Sequence, residues 1–273
     1  MTTTEIPLII EPKQLQAQLN APDLLIIDLC KPSTYARVHV PGAIHLGYAE
    51  IIAIQKPAMG LLPDADTLSQ TFSNIGLTPE THVVAYDDEG GGRAARLLWT
   101  LDAVGHKKSS LLNGGIGAWF NEGHPTEDTP VQATPGKYQA TIVDTVVADQ
   151  QFIHEHLDDD NVMLLDSRSP EEYRGEKKFA EHAGHIPGAV NLNWFEIMDQ
   201  SRNMRLKPEA DLRAMMEERG LTKDKTIVTY CQTHHRSALT YFALKVLGYA
   251  KIKGYPGSWS DWGNSENLPT ETG

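Results

Sequence analysis

A chain of 273 residues that is 40% hydrophobic and 22% charged has the composition of a folded globular protein, and its length points to two domains. Its net charge of −12 disfavours nucleic acid and anionic membranes as partners, and no apolar run reaches the about 18 residues of a membrane span. Two cysteines exclude a four-thiolate zinc site, and Met1 to Pro7 lack the basic flank and apolar core of a secretory signal, so a cytoplasmic address is expected.

Taken in chain order, the first strand-like run is Leu24-Leu25-Ile26-Ile27-Asp28, followed by Tyr35 and the string His39-Val40-Pro41-Gly42-Ala43. A second buried run, His82 to Tyr86, leads through a short polar loop into a helical stripe. Ala94, Leu97, Leu98 and Leu101 fall there at i, i+3, i+4 and i+7, and Gly105 is placed to end the helix. Ser109 to Leu112 reads as a further strand, and Gly114 to Trp119 opens another helical stretch. Pro125, Pro130 and Pro135 then punctuate a polar run.

The series now repeats. Val162-Met163-Leu164-Leu165-Asp166, Tyr173 and His185-Ile186-Pro187-Gly188-Ala189 answer the first strand, tyrosine and string, with a longer stretch between Tyr173 and His185. Residues 225–230 answer His82 to Tyr86. Leu239, Phe242, Ala243, Val246 and Leu247 form the matching stripe, ended by Gly248, and residues 250–252 read as the last strand. Gly257 to Trp262 answers Gly114 to Trp119. A period of about 140 residues is that of a duplicated domain, not a solenoid unit. The expected division is a first domain over 1–124, a linker over 125–146 and a second domain over 147–273. Strands alternating with helices argue that each is an α/β domain with a mostly parallel sheet flanked by helices.

Chemistry is expected where a strand ends and a helix begins. Cys231, Gln232, Thr233, His234 and His235 lie between the strand ending at Tyr230 and a helix opening near Arg236. A tight turn of this length directs backbone N–H groups inward and makes a nest for an anion. An ordinary cysteine thiol is only a few per cent ionised at neutral pH, and a helix N-terminus beside Arg236 favours its thiolate. The same cradle suits a persulfide anion or the oxyanion end of a sulfur donor. At the matching place the first copy has Asp87, Asp88 and Glu89 and no cysteine. Three carboxylates should repel an anion, so the first domain is expected to be non-catalytic, with its acids paired to cations such as Arg236 across the two domains. Cys30 ends a buried strand and is expected to be an inert core thiol. Asp28 and Asp166, which end matching strands, are expected to share a structural hydrogen-bonding role.

The paired pattern, the two His-x-Pro-Gly-Ala strings and the cysteine-led loop of the second copy resemble the tandem-domain rhodaneses, over nearly the whole chain. The resemblance implies two α/β domains with the active site between them and a thiosulfate or mercaptopyruvate sulfurtransferase activity. It implies Cys231 as the persulfide-forming nucleophile and residues 232–236 as its cradle. It also implies Arg174 as a residue holding the anionic end of the donor, and Trp194 and Phe195 as apolar walls. No metal or organic cofactor is implied. The partners are a small-molecule sulfur donor and a thiophilic acceptor such as cyanide or a protein thiol.

The loop itself, with Gln232, Thr233 and His234 after the cysteine, matches neither the basic loop of thiosulfate enzymes nor the Gly-Ser-Gly loop of mercaptopyruvate enzymes, and resembles a variant of some bacterial rhodaneses. Mercaptopyruvate enzymes resemble one another in a histidine before a Leu-Pro, whereas Gly60, Leu61 and Leu62 precede Pro63 here. Thiosulfate is therefore the expected donor, with mercaptopyruvate transfer or a persulfide carrier as alternatives. Phosphatase chemistry is disfavoured, because Arg236 comes one position too early for a Cys-x5-Arg loop. The spacing of His182 and His185 suggests a metal pair only superficially, since His185 belongs to the repeated string.

Overall fold

The computed structural model of the chain describes residues 6–273. It divides into two compact units. The first comprises the residues up to Ile51, Pro63–Ile142 and Asp199–Leu206; the second comprises Ile52–Leu62, Val143–Met198 and Lys207–Gly273. Each unit thus takes a short segment from the other sequence copy.

In the first unit a five-stranded parallel sheet runs in the order Ile9–Ile10, Ser109–Leu112, His82–Tyr86, Leu24–Asp28, Ile44–His45. In the second a four-stranded parallel sheet has the order Ile252–Gly254, Thr226–Tyr230, Val162–Asp166, Val190–Asn191. The expected α/β class therefore holds in both copies. The last strand lies two residues beyond its expected place. Ile227 donates to the Lys251 carbonyl, pairing starts there, and Gly254 stays in the strand because its carbonyl accepts from Ala148. The two expected helix-ending glycines both sit at positive φ, 77° for Gly105 and 79° for Gly248, a conformation open to glycine at little cost.

The repeated residues do the same structural work twice. In each sheet the tyrosine is in register with the aspartate of the neighbouring strand, Tyr86 with Asp28 and Tyr230 with Asp166. The Tyr86 hydroxyl accepts from the Val40 amide at 3.0 Å, and Tyr230 from the Ile186 amide at 3.1 Å. Asp28 accepts from the Cys30 amide and Asp166 from the Arg168 amide, so both aspartates serve the backbone as expected. The histidine of each string stacks on a tyrosine, His39 on Tyr35 at 4.1 Å and His185 on Tyr173 at 3.7 Å. Each histidine Nδ1 also lies 2.8 Å from that tyrosine's carbonyl oxygen. The strings lock the turn after each first strand.

Trp119 and Trp262 are fully buried, and each indole N–H donates to a proline carbonyl, of Pro125 and Pro269 respectively. Burying rings of this size contributes roughly 2 kcal/mol or more apiece, provided the N–H keeps a partner. Residues 125–142 lie along the first unit: Gly136 donates to Ser73, Ala140 to the Ser69 hydroxyl, and the Tyr138 ring meets Phe72 edge-on. Among the described residues, no helix is long and apolar enough to cross a membrane.

Candidate active site

The second unit builds one cysteine-centred site. The strand Thr226–Tyr230 is buried from Ile227 onward, and Cys231 is the first residue beyond it. Five residues later the helix Arg236–Val246 begins. His234 turns the chain at φ 52°, a left-handed conformation that costs a non-glycine residue on the order of 1 kcal/mol or more. Ser258, itself at φ 51°, fixes that turn: its hydroxyl accepts from the amides of Cys231 at 3.3 Å and His234 at 3.0 Å, and donates to the Tyr255 carbonyl. The carbonyls of Cys231 and Gln232 accept from the amides of Trp259 and Ser260, both at 3.0 Å.

With those groups tied outward, the amides of Thr233 and Ser237 and the Ser237 hydroxyl are left to bond the sulfur. Burial opposes the thiolate, but the Arg236 guanidinium, the Ser237 side chain and the two amides outweigh it and bring the Cys231 thiol down to about 7. The side chain is completely buried. Its neighbouring amides nevertheless converge on it, which is the arrangement a sulfur anion requires.

Arg236 donates from both terminal nitrogens to Glu172, at 2.6 and 2.9 Å. Glu172 belongs to the short helix Pro170–Tyr173, where it forms a reciprocal cap with Ser169. Beneath the loop Asp166 binds Arg168 at 2.6 Å, both fully buried, and the Arg168 guanidinium lies 4.4 Å from the Trp259 ring centre. The hairpin of Ala53–Gln55 and Ala58–Leu61 belongs to this same unit. Its Met59 amide donates to the Ser260 hydroxyl, and Gly60 lies against the Thr233 carbonyl so closely that a Cβ would overlap it.

The structure brings together Cys231, Gln232, Thr233, His234, His235, Arg236 and Trp194. Gln232 donates its side-chain amide to the Phe179 carbonyl, His234 Nδ1 meets the Ser237 hydroxyl at 2.8 Å, and the His235 and Trp194 ring centres are 5.8 Å apart. Phe195 packs edge-on to Trp194 and is exposed. Arg174 is not brought to the loop: its guanidinium sits on the exposed Glu176. Sequence reasoning passed over Glu172, Ser237, Ser258 and Gly60. The signal for Glu172 lay in the comparison of copies, because Thr34 stands at its place where the first copy lacks the cysteine.

The first unit corrects one expectation. Its loop does not turn carboxyl groups away but holds one in the nest, where burial and then Glu89 push it up from the ordinary carboxylate range. Asp87 accepts from the amides of Glu89 at 3.0 Å, Gly91 at 2.8 Å and Ala94 at 3.0 Å. Nor do its other acids need Arg236, which is held by Glu172. Arg93 lies 3.6 Å from Asp88 and 3.3 Å from Glu89, and the Thr34 hydroxyl donates to Asp88. Cys30 is buried, and burial followed by the charges of Asp28, Asp87 and Asp88 pushes its thiol far above the ordinary range. It is inert as a nucleophile.

A family model described as the rhodanese-like domain matches residues 11–122 and again 149–265. The chain belongs to the rhodanese-like domain family. This tandem rhodanese-like chain is 44% identical to a thiosulfate sulfurtransferase of Azotobacter vinelandii, over 97% of both chains. It is 41% identical to a Pseudomonas aeruginosa protein of the same name, over 98% of both. A sulfur carrier protein of Thermus thermophilus is 32% identical over 95% of this chain and 94% of that protein. Among solved structures, an anaerobic ergothioneine biosynthesis enzyme of Chlorobium limicola superposes with a TM-score of 0.87 over 97% of this chain and 70% of its own. At 20% identity that likeness speaks for the rhodanese fold alone.

Proposed function

We propose that this chain is a sulfurtransferase that takes the sulfane sulfur of thiosulfate onto Cys231 and passes it to a thiophile. The observation that carries the reading is the convergence of the Thr233 and Ser237 amides and the Arg236 charge on one thiol, held at about 7. The names of the Azotobacter and Pseudomonas relatives, at 44% and 41% identity, support thiosulfate as the donor.

The cycle has two steps. The Cys231 thiolate attacks the outer sulfur of thiosulfate, the S–S bond breaks, and sulfite leaves with the electron pair. The persulfide that remains keeps a negative charge in the same nest of amides. A thiophile then attacks the outer sulfur and releases the thiolate; cyanide leaves as thiocyanate. Residues 232–235 shape the cradle, Trp194 and His235 wall it, and Arg236 stabilises the negative sulfur. Arg174, held at the surface by Glu176, takes no part in this cycle. Because Cys231 is fully buried, donor entry requires its cover to move. The first unit, with Asp87 in its nest, is non-catalytic.

Delivery to a protein thiol in the cytoplasm is the second reading, favoured by the likeness to a protein named a sulfur carrier. The test uses thiosulfate and cyanide with wild-type protein and Cys231→Ser. Wild-type protein is expected to form thiocyanate and, with thiosulfate alone, to gain the mass of one sulfur atom. Retention of either property by Cys231→Ser overturns the mechanism. Turnover with mercaptopyruvate and none with thiosulfate overturns the assignment of donor.

A further inference from the structure

The fork of Arg236 is fully committed. Both terminal nitrogens bond Glu172, one to each carboxylate oxygen, in the parallel geometry that makes arginine–carboxylate pairs strong and directional. Glu172 is nearly buried, and its backbone is pinned by the reciprocal cap with Ser169, so the carboxylate has little freedom to follow a moving arginine. A guanidinium held this way keeps one N–H on each terminal nitrogen for other acceptors, but its place and orientation are fixed. It still projects a full positive charge toward Cys231.

The two sequence copies support the pairing independently. Pro32–Tyr35 and Pro170–Tyr173 are matching helices, so Thr34 occupies the place of Glu172. Arg93 stands twelve residues before Gly105, as Arg236 stands twelve before Gly248, so the first copy keeps the arginine. It lacks the cysteine and the carboxylate together: Arg93 lies beside Asp88 and Glu89, and Thr34 donates a hydrogen bond to Asp88 instead.

We propose that Glu172 is a positioning residue for the sulfur chemistry: by holding both terminal nitrogens of Arg236 it fixes that charge beside Cys231. This rests on Cys231 being the sulfur-carrying thiol. The charged and titratable groups facing the pair are Asp166 and Tyr230 at the strand ends, Arg168 beneath, Cys231 itself, and His234 and His235 in the loop. Asp166 adds to the field that holds Arg236 protonated, and Arg168 favours the ionised form of Glu172. Arg236 is the strongest influence favouring the Cys231 thiolate. Loss of Glu172 therefore acts chiefly by letting Arg236 move.

The test measures the pH midpoint of iodoacetamide alkylation of Cys231, together with kcat and KM for thiosulfate, in Glu172→Ala, Glu172→Gln and Ser169→Ala. In Glu172→Ala the midpoint is expected to rise by about one pH unit and kcat to fall about tenfold, with KM unchanged or lower. Glu172→Gln keeps one oxygen for Arg236 and is expected to fall between wild type and Glu172→Ala. Ser169→Ala loosens the cap while both carboxylate oxygens of Glu172 can stay on Arg236, and it is expected to lower Tm and to raise the midpoint by less than Glu172→Ala. A midpoint unchanged in folded Glu172→Ala overturns the proposal. So does a fall in both Glu172 variants, which would make Glu172 a repelling charge and not an anchor, and so does an equal rise in Ser169→Ala. Cys231→Ser serves as the reference: if it still forms thiocyanate, the reading of the site itself fails, whatever the alkylation shows.

Discussion

Asp87 holds in the first unit the position that Cys231 holds in the second. Each is the first residue beyond a buried strand ending in tyrosine, each opens a loop of five residues, and each side chain accepts bonds from amides of the following turn. The nest is thus a property of the repeated backbone, and the side chain at its mouth decides whether it is plugged or reactive. Replacing Asp87 by Ala orphans three buried N–H groups, each costly when unsatisfied, while relieving the burial of a carboxylate. The expected net loss is about 2 kcal/mol of stability in urea unfolding, with thiocyanate turnover unchanged at temperatures well below Tm. A turnover lost at full stability would show that the first unit takes part in catalysis.

The folded-state thiol of Cys231 lies at about 7, below its ordinary value, so the thiolate is half formed near neutrality and grows as pH rises. Iodoacetamide should therefore modify Cys231 at a rate that falls about tenfold per unit on acidification below that midpoint and levels off above it. Cys30 is shifted the other way, and in native protein it should stay unmodified across the same range. Mass spectrometry of alkylated peptides separates the two. A Cys231 midpoint near that of a free thiol would mean that the amides and Arg236 do not act on the sulfur as the geometry requires.

The duplicated architecture was legible in the sequence because each copy spells out its hydrophobic strands, its His-Tyr stack and its helix-ending glycine. Cys231 and its loop were legible because a cysteine between a strand and a helix is chemically conspicuous. What escaped was the support. Ser258 is read as a helix residue until its φ of 51° turns its hydroxyl onto the amides of Cys231 and His234. Gly60 lies far away in the chain, and only the folded hairpin shows that it covers Thr233. By its charge alone Asp87 reads as something an anion site would exclude, when its side chain itself fills the nest.

Arg174 separates resemblance from geometry. By resemblance it holds the donor, yet its guanidinium bonds Glu176 on the surface through Nε at 2.7 Å and Nη2 at 3.1 Å. Exposed pairs of this kind are worth at most about 1 kcal/mol, so thiosulfate could draw Arg174 away only by offering comparable bonds. Arg174→Ala is expected to change KM for thiosulfate less than about threefold at constant kcat. A rise of tenfold or more would show that the side chain leaves Glu176 in the donor complex.

Gly60 sits where the hairpin backbone crosses the active-site loop. A methyl there would come within 2.7 Å of the Thr233 carbonyl carbon and overlap its oxygen, and both neighbours are backbone, which cannot rotate aside. Gly60→Ala must therefore lift the hairpin or push the loop, at a cost of about 1–3 kcal/mol. Moving Thr233 moves one of the amides that bond the sulfur, so the alkylation midpoint should rise and kcat should fall together. Gly117 supplies the control: it lies in the helix Gly115–Asn121 with open space around a Cβ. Gly117→Ala should leave turnover intact and raise stability by about 0.5–1 kcal/mol through helix propensity. If Gly60→Ala loses stability but keeps both the midpoint and kcat, the hairpin covers the loop without shaping it, and the Thr233 amide is held by Ser258 and the helix after it alone.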